Sequence, residues 1–504
     1  MTPEEHIAQL EAENASQRDQ IAVLVARVQE LEARLAKDSH NSGKPPSSDG
    51  LGRKTKSLRK PSGKKPGGQL GHRGETLRLV AVPDDVIEHR PSTCSACHIP
   101  LPTEPSAESW WERRQVHELP PLRLLVREHR ALHVRCPACR AVTAAVFPSE
   151  APSRAQYGPR LRALVVYLVE QQLLPYGRVR DLLADLFGAQ PPSAGTLVHL
   201  VRRCAATLEP VTVDIAAALH RAPVLHNDET GVRLSGRLAW AHVASTARLT
   251  HYGIHAKRGS EATAAIGILP GYQGVSVHDG WAAYRVHTSC RHALCNIHHL
   301  RELTFLEEQY QQAWAGDLKQ LLREMKAAAD AARAQGLQQL MPAQRQAFIA
   351  RYQELLATGH AANPPPERRP KQRGRVKQTP TQNLLERLWL GQAQVLAFLD
   401  DLSIPFDNNQ AERDLRMLKV QQKVSGAFRS DAGAAAFACI RGFLSTLKKQ
   451  GVALLAALET VAVGQPLYPA FARIVTYFYL IDTRAATWYI WFTASMVAGQ
   501  AKAG

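Results

Sequence analysis

The sequence predicts a multidomain α/β protein, and three observations carry that prediction. Short apolar segments in APVLHND, RLAWAHVAST, RLTHYGIHA and GVSVHD read as strands, with a helix around Glu261 to Ile268 before the last of them. Two CxxC pairs, Cys94/Cys97 and Cys136/Cys139, mark a separate small unit upstream. A heptad-patterned stretch opens the chain. The 504 residues are enough for several domains and a substantial core. Lys and Arg number 62 against 45 Asp and Glu, a net charge of +17 that suits a polyanionic partner, nucleic acid before a membrane surface. Thiols in metal-type spacing, without the apolar N-terminal core of a signal peptide, point to a reducing cytoplasm, and for a DNA partner to the nucleoid.

Residues 1–40 read as a coiled-coil dimerisation helix. Ile7, Leu10, Asn14, Gln17, Ile21, Leu24, Val28, Leu31 and Leu35 keep a three-four spacing. β-Branched residues at most a positions and Leu at most d positions favour two parallel strands, and a buried Asn14 would fix their register at a cost in stability. The alternative is one amphipathic helix folded onto its own chain. Residues 41–80 turn to Gly, Pro, Ser and base, with ten Lys or Arg against two acids between Asn41 and Arg78. Few apolar residues are present to offset the entropy of ordering, so this segment reads as a flexible basic linker, settled on DNA or simply solvated.

Residues 81–150 hold the two CxxC pairs, about forty residues apart, as in a zinc ribbon. Cys94, Cys97, Cys136 and Cys139 supply four thiolates for tetrahedral Zn2+, a closed structural site; His98 and His117 are surplus to it. Residues 151–215 read as helices. Leu161, Leu164, Val165 and Leu168 mark the first, Gly177 to Phe187 the second, closed by Gly188, and the third starts after Ser193 as N-cap and runs to Arg202 and Arg203. This is compatible with a DNA-reading helix-turn-helix and equally with plain helical packing.

The α/β domain, residues 216–465, puts Asp228 and Asp279 at strand ends. A long helical segment rich in Ala, Leu and Gln fills Leu300 to Leu402. Within it, Arg373-Gly374-Arg375 looks like an AT-hook core for a narrow minor groove, although Val376 stands where a proline would complete it. Residues 466–504 turn aromatic, and their apolar run is too short for a membrane span.

The most informative stretch is PFDNNQAERDLRMLKVQQKVSGAFRS, Pro405 to Ser430. Glu412 leads a helix on which Arg416, Lys419 and Lys423 follow on the same face. One acid ahead of a row of bases suits a metal ion held beside a phosphate backbone. Phosphodiester chemistry can be run by two divalent ions roughly 4 Å apart. Magnesium takes oxygen ligands, so Asp228, Asp279 and Glu412 are the protein share such a site needs. Each also has a plain structural reading: a capping box from Asn409 to Glu412, a turn at Asp279-Gly280, a cap at Asp228.

HNDETG around Asp228, VHDGWAAY around Asp279, CNIHHLRELTF from Cys295 and PFDNNQAERDLR around Glu412 together resemble the DDE transposases of bacterial insertion sequences, specifically the insertion sequence sixty-six type. The likeness runs from the N-terminal helix to about Pro466 and rests on long motifs. It implies a ribonuclease-H-like catalytic domain with a helical insertion at about 300–400, and a place for Cys295-x-x-His298 beside the active site rather than at a second zinc. It implies cleavage at the element's terminal inverted repeats and joining to target DNA, supported by Mg2+ or Mn2+ at the three acids, by a homodimer or higher oligomer, with accessory proteins of the element as possible partners. The tail departs from the family pattern and reads as readthrough or a fused reading frame. Two other classes fit the residues: a DNA-binding regulator or decayed transposase that holds ends without cutting, and a structure-specific nuclease using the same carboxylates.

Overall fold

The computed structural model describes residues 2–42, 63, 65, 67, 69, 71, 72, 74, 76–104, 106–188, 190–365, 376 and 378–471. Most of the basic linker, Arg373 and Arg375, and the aromatic tail from residue 472 lie outside them.

The heptad stretch is one helix, α1 (Pro3–Leu35). Its a/d stripe faces solvent, with Ile21 at 59% and Leu24 at 64% exposure. Among the described residues, the C-terminal end of α1 and the residues just after it meet the rest of the chain. Ala33 is buried in the core of the helical insertion, Lys37 Nζ lies 4.9 Å above the Phe305 ring, and His40 Nε2 is 3.2 Å from Glu308 Oε1.

The cysteine-bearing unit contains a single three-residue antiparallel pair among its described residues, β1 (His133–Arg135) with β2 (Val142–Ala144), and an isolated bridge between Thr93 and Pro100.

The helices that follow are α2 (Pro159–Val166), continued by a π turn at Tyr167–Gln171, then α3 (Tyr176–Phe187) and α4 (Ala194–His220). Gly188 closes α3 at φ +58°, a left-handed conformation that glycine adopts without penalty. Ser193 Oγ accepts from Thr196 N at 3.1 Å and caps α4. Val165, Val179, Leu183 and Leu197 give the three helices a shared small core. α4 does not stop at Arg203. The three-four spacing continues through Leu208, Val211, Ile215 and Leu219, all buried against the α/β body, and Pro210 does not end the helix. The expected boundary at 215/216 therefore falls inside a helix shared by both regions.

The sheet has five strands in the order β5-β4-β3-β6-β7. β3 (Val224–Leu234), β4 (Arg237–Ser245) and β5 (Thr250–His255) form an antiparallel meander. α5 (Ser260–Ile266) crosses to β6 (Val275–His278), parallel to β3, and β7 (Arg291–Leu294) adds a second parallel pair. β7 is missing from the sequence reading, because RHAL lies between Cys290 and Cys295 and is only four residues long.

After β7 the insertion comprises α6 (Asn296–Tyr310), α7 (Ala313–Ala334), α8 (Pro342–Ala362), α9 (Pro380–Leu390) and the short α10 (Gln392–Val395) and α11 (Ala397–Asp400). Its core runs continuously into the β6–β7 edge through Val275, Val277 and Ala293. The chain then returns to the sheet with α12 (Asn409–Ser425), α13 (Asp431–Lys449) and α14 (Leu454–Ala462). α12 buries Ala411, Leu415 and Leu418 against Val232, Ala239, Ala241 and Val243 of β3 and β4, which turns its charged face away from that core. No described helix is long and apolar enough to cross a membrane.

Candidate active site

Strand register builds the first half of the site. His226 of β3 pairs with Val277 of β6 in parallel. Two residues further along each chain lie Asp228 and Asp279, level with one another and, by period-two alternation, on the same face. Asp279 follows the end of β6, as expected. Asp228 does not end its strand: β3 continues to Leu234, and Asp228 pairs with Val243 of β4. What ends before Asp228 is the ladder to β6, so the strand's open side lies beside the acid.

Each Asp fixes one oxygen locally. Asp228 Oδ1 accepts from Glu229 N at 2.8 Å, and Asp279 Oδ1 accepts from Trp281 N at 2.8 Å across Gly280, whose φ of +91° the turn requires. The turn reading of Asp279-Gly280 is met, and it leaves the second carboxylate oxygen outside the turn.

The third acid comes from α12 on the same face of the sheet. The capping box fails: the N-cap is Asn408, without a side-chain cap bond. Asn408 is buried and used elsewhere. Its Nδ2 donates to Asn227 O at 2.8 Å, its Oδ1 accepts from His226 Nδ1 at 2.9 Å, and its backbone N donates to Cys295 Sγ at 3.2 Å. Asn408 therefore locks the start of α12 to β3 through its side chain and to the head of α6 through its backbone. Sequence reading passed over Asn408, since of two adjacent asparagines the capping pattern pointed to Asn409. Freed from capping, Glu412 presents a buried Oε1 with no hydrogen-bond partner.

Burial pushes Asp228 well above the usual carboxylate range, and the charges of Glu229, Asp279 and Glu412 push it further. Mutually repelling carboxylates with an orphaned buried oxygen among them are the kind of donor set that a hard divalent cation would neutralise, although the three acids do not form a group within 4.8 Å. Glu229 points to the other face of β3 and is satisfied there. Arg258 Nε donates to Glu229 Oε1 at 2.8 Å, and Tyr284 OH donates to Oε2. The Arg258 guanidinium also lies 4.8 Å from the Trp240 ring centre and 4.0 Å from that of Trp281, tying the loop after Asp279 to the strand carrying Asp228.

Cys295 and His298 stand at the head of α6 beside Glu412. A sulfur, an imidazole nitrogen and a carboxylate oxygen from these three lie within 4.8 Å of one another. Burial pushes the Cys295 thiol up to about 12. Neighbouring histidines have partners elsewhere: His292 Nδ1 is 3.0 Å from His278 Nε2, and His299 Nδ1 is 3.0 Å from Asn296 Oδ1.

The sequence pattern of the Transposase IS66 family matches residues 154–436, more than half of the chain and all three acids. The chain belongs to the IS66 transposase family. Residues 2–78 match a second family, one of unknown function. No curated protein matches. Family membership supports a DNA-processing role for this transposase.

The basic side chains expected to grip DNA divide into two groups. Arg416, Lys419 and Lys423 are exposed on the face of α12 that carries Glu412. Lys419 Nζ also donates to Gly231 O at 2.7 Å, and its partial burial lowers its pKa. Arg202 and Arg203 are exposed on α4, and Arg162 of α2 lies close enough to Arg203 to feel its charge, after burial, as a downward shift. Arg162 was not singled out from sequence, because its neighbour across two helices is visible only once they pack.

In the transposase's N-terminal half the two CxxC pairs form matching knuckles. His98 N donates to Cys94 O and Arg140 N to Cys136 O, at 3.0 and 2.9 Å, with φ of +55° at His98 and +63° at Arg140. Backbone N–H groups of Cys97 and Ala96 hold the Cys94 thiol below its ordinary value, and those of Cys139 and Ala138 do the same for Cys136. Within 4.8 Å the four sulfurs do not form one group; among the described residues only Cys295, His298 and Glu412 do so.

Proposed function

We propose that this IS66 transposase binds the terminal inverted repeats of its element, cleaves there and joins the freed 3' ends to target DNA, with Asp228, Asp279 and Glu412 as the metal-holding acids of a ribonuclease-H-like domain. The observation that carries the reading is the strand register that sets Asp228 level with Asp279 on one sheet face, with the unpartnered Glu412 Oε1 opposite. The sheet order, an antiparallel meander followed by two parallel strands, supports the ribonuclease-H-like assignment. Magnesium or manganese bound there would activate the attacking oxygen and stabilise the leaving one. The chain's own residues do the rest. Asn408 and the Glu229–Arg258–Tyr284 network hold the acids in place. Arg416, Lys419 and Lys423 line up phosphates along the axis of α12, while Arg202, Arg203 and Arg162 give the helical region a basic surface for the ends. Arg373 and Arg375 are proposed as minor-groove contacts. Zn2+ at Cys94, Cys97, Cys136 and Cys139 would draw the two preformed knuckles together, and the exposed α1 stripe is proposed to pair two chains.

Labelled element ends incubated with the protein in magnesium test the reading. Cleavage followed by joining supports it; cleavage without joining identifies a nuclease, and a mobility shift without cleavage identifies an end-binding regulator.

A further inference from the structure

We propose that Cys295, His298 and Glu412 form a site for a thiophilic transition metal, zinc above all, whose binding withdraws Glu412 from the carboxylate cluster and holds the transposase inactive. The inhibitory half rests on the function proposed above; the binding half stands on the geometry alone.

The three ligand atoms are already gathered within 4.8 Å. His298 Nε2 and Glu412 Oε1 are 4.0 Å apart, so a modest side-chain rotation brings them to the roughly 3.3 Å spacing of neighbouring ligands around tetrahedral zinc. One observation independent of the clustering points to a missing ligand: Glu412 Oε1 is buried without a hydrogen-bond partner. The sulfur is buried as a protonated thiol, so an ion must displace its proton, as coordination to a metal does; Asn408 N, which donates to Sγ at 3.2 Å, supports the thiolate so formed. Thiolate, imidazole and one carboxylate form a three-ligand set with a fourth position left open. Magnesium and calcium do not take sulfur, so this set selects a softer ion than the one the three acids hold. Because Glu412 belongs to both sets, one of its oxygens cannot serve both ions at full strength.

The test uses the full chain titrated with Co2+ as a spectroscopic substitute for zinc. About two bound equivalents per chain are expected: one at the knuckles, lost in Cys136→Ser, and one lost in both Cys295→Ser and His298→Gln. His298→Gln alters a partly exposed side chain and guards against misfolding of the buried Cys295 variant. In magnesium-supported cleavage, the zinc concentration that halves each protein's own rate is expected to rise at least about tenfold in both variants. Cobalt stoichiometry and zinc sensitivity unchanged in Cys295→Ser and His298→Gln would overturn the proposal. A cobalt site that depends on Cys295 in a protein without magnesium-supported cleavage would instead overturn the proposed function and leave the metal site standing.

Discussion

Between Leu77 and Phe147 large apolar side chains face solvent, with Trp110 at 86%, Val126 at 93% and Val146 at 94% exposure, whereas in the body from Pro159 to Ala462 Leu197, Leu303 and Phe443 are fully buried. Burying such a side chain stabilises by about 1.5–3 kcal/mol, so the body closes on its own cores. The cysteine-bearing unit has no such core among its described residues; it has two rigid knuckles and one short hairpin. In a unit of that kind the free energy of metal binding is folding free energy. The body can therefore be disarmed chemically without unfolding, while the cysteine unit, under the proposed zinc site, should lose its fold when zinc is withheld.

The largest expected effect breaks the body's chemistry and spares everything else. Asp228→Asn, Asp279→Asn and Glu412→Gln keep shape but remove the charge that holds a hard cation. Each should lower cleavage and joining by well over 100-fold, more than the roughly 10–100-fold that loss of a supporting group around a metal costs. End binding measured in calcium should stay near wild type. A fully active Glu412→Gln protein would remove α12 from the site. On the other side of the comparison, Cys136→Ser should release about one zinc per chain and expose the segment around residues 76–157 to protease, with the main thermal transition unmoved. Loss of that main transition would show that the two regions are one folding unit.

A third experiment sharpens how the body holds its acids. Arg258→Ala leaves the buried Glu229 without its cation, with Tyr284 OH as its remaining partner. Breaking a buried pair costs roughly 3–5 kcal/mol, and since the Arg258 side chain is 33% exposed the expected loss is nearer 2–4 kcal/mol. Adding Glu229→Gln should recover most of it, and a double variant no more stable than the single one would argue against the pair as the cause. For α1, Ile21→Asp with Leu24→Asp should convert a dimeric protein to monomer by sedimentation, leaving the body's melting unchanged because that stripe touches none of it.

What sequence could show follows the same division. Residues near in sequence were legible: the knuckles, the heptad, the caps at Ser193 and Gly188, and the shared face of Glu412, Arg416, Lys419 and Lys423 all rest on spacing along one helix or turn. Asp228 and Asp279 were singled out by motif and family likeness, but their being level depends on strand register, and the end of β3 was misjudged because polar NDET interrupts its apolar alternation. Asn408, Glu229 with Arg258, and Arg162 beside Arg203 were not legible. Their partners stand 181, 29 and 41 residues away, and no local pattern distinguishes such residues from surface polar ones.

The smallest expected effect concerns stability rather than rate. Asp228 has a folded pKa raised above the unfolded value of about 3.9, first by burial and then by Glu229, Asp279 and Glu412. The protonated folded form is therefore favoured: this contribution to stability is fully present below the unfolded value and is lost as pH rises through the raised folded one. At neutral pH without magnesium Asp228 is a net cost, because the fold disfavours its charge, and Asp228→Asn removes that cost. The variant should melt above wild type at pH 7 in magnesium-free buffer, by no more than the roughly 0.5–3 kcal/mol usual for one substitution, and the difference should vanish as pH falls below the unfolded value. Magnesium should raise the wild-type melting temperature and leave the variant's almost unchanged, reversing their order. A variant that melts below wild type at pH 7 without magnesium would mean that Asp228 stabilises the fold through its contacts, and that the site is not strained by its own charge.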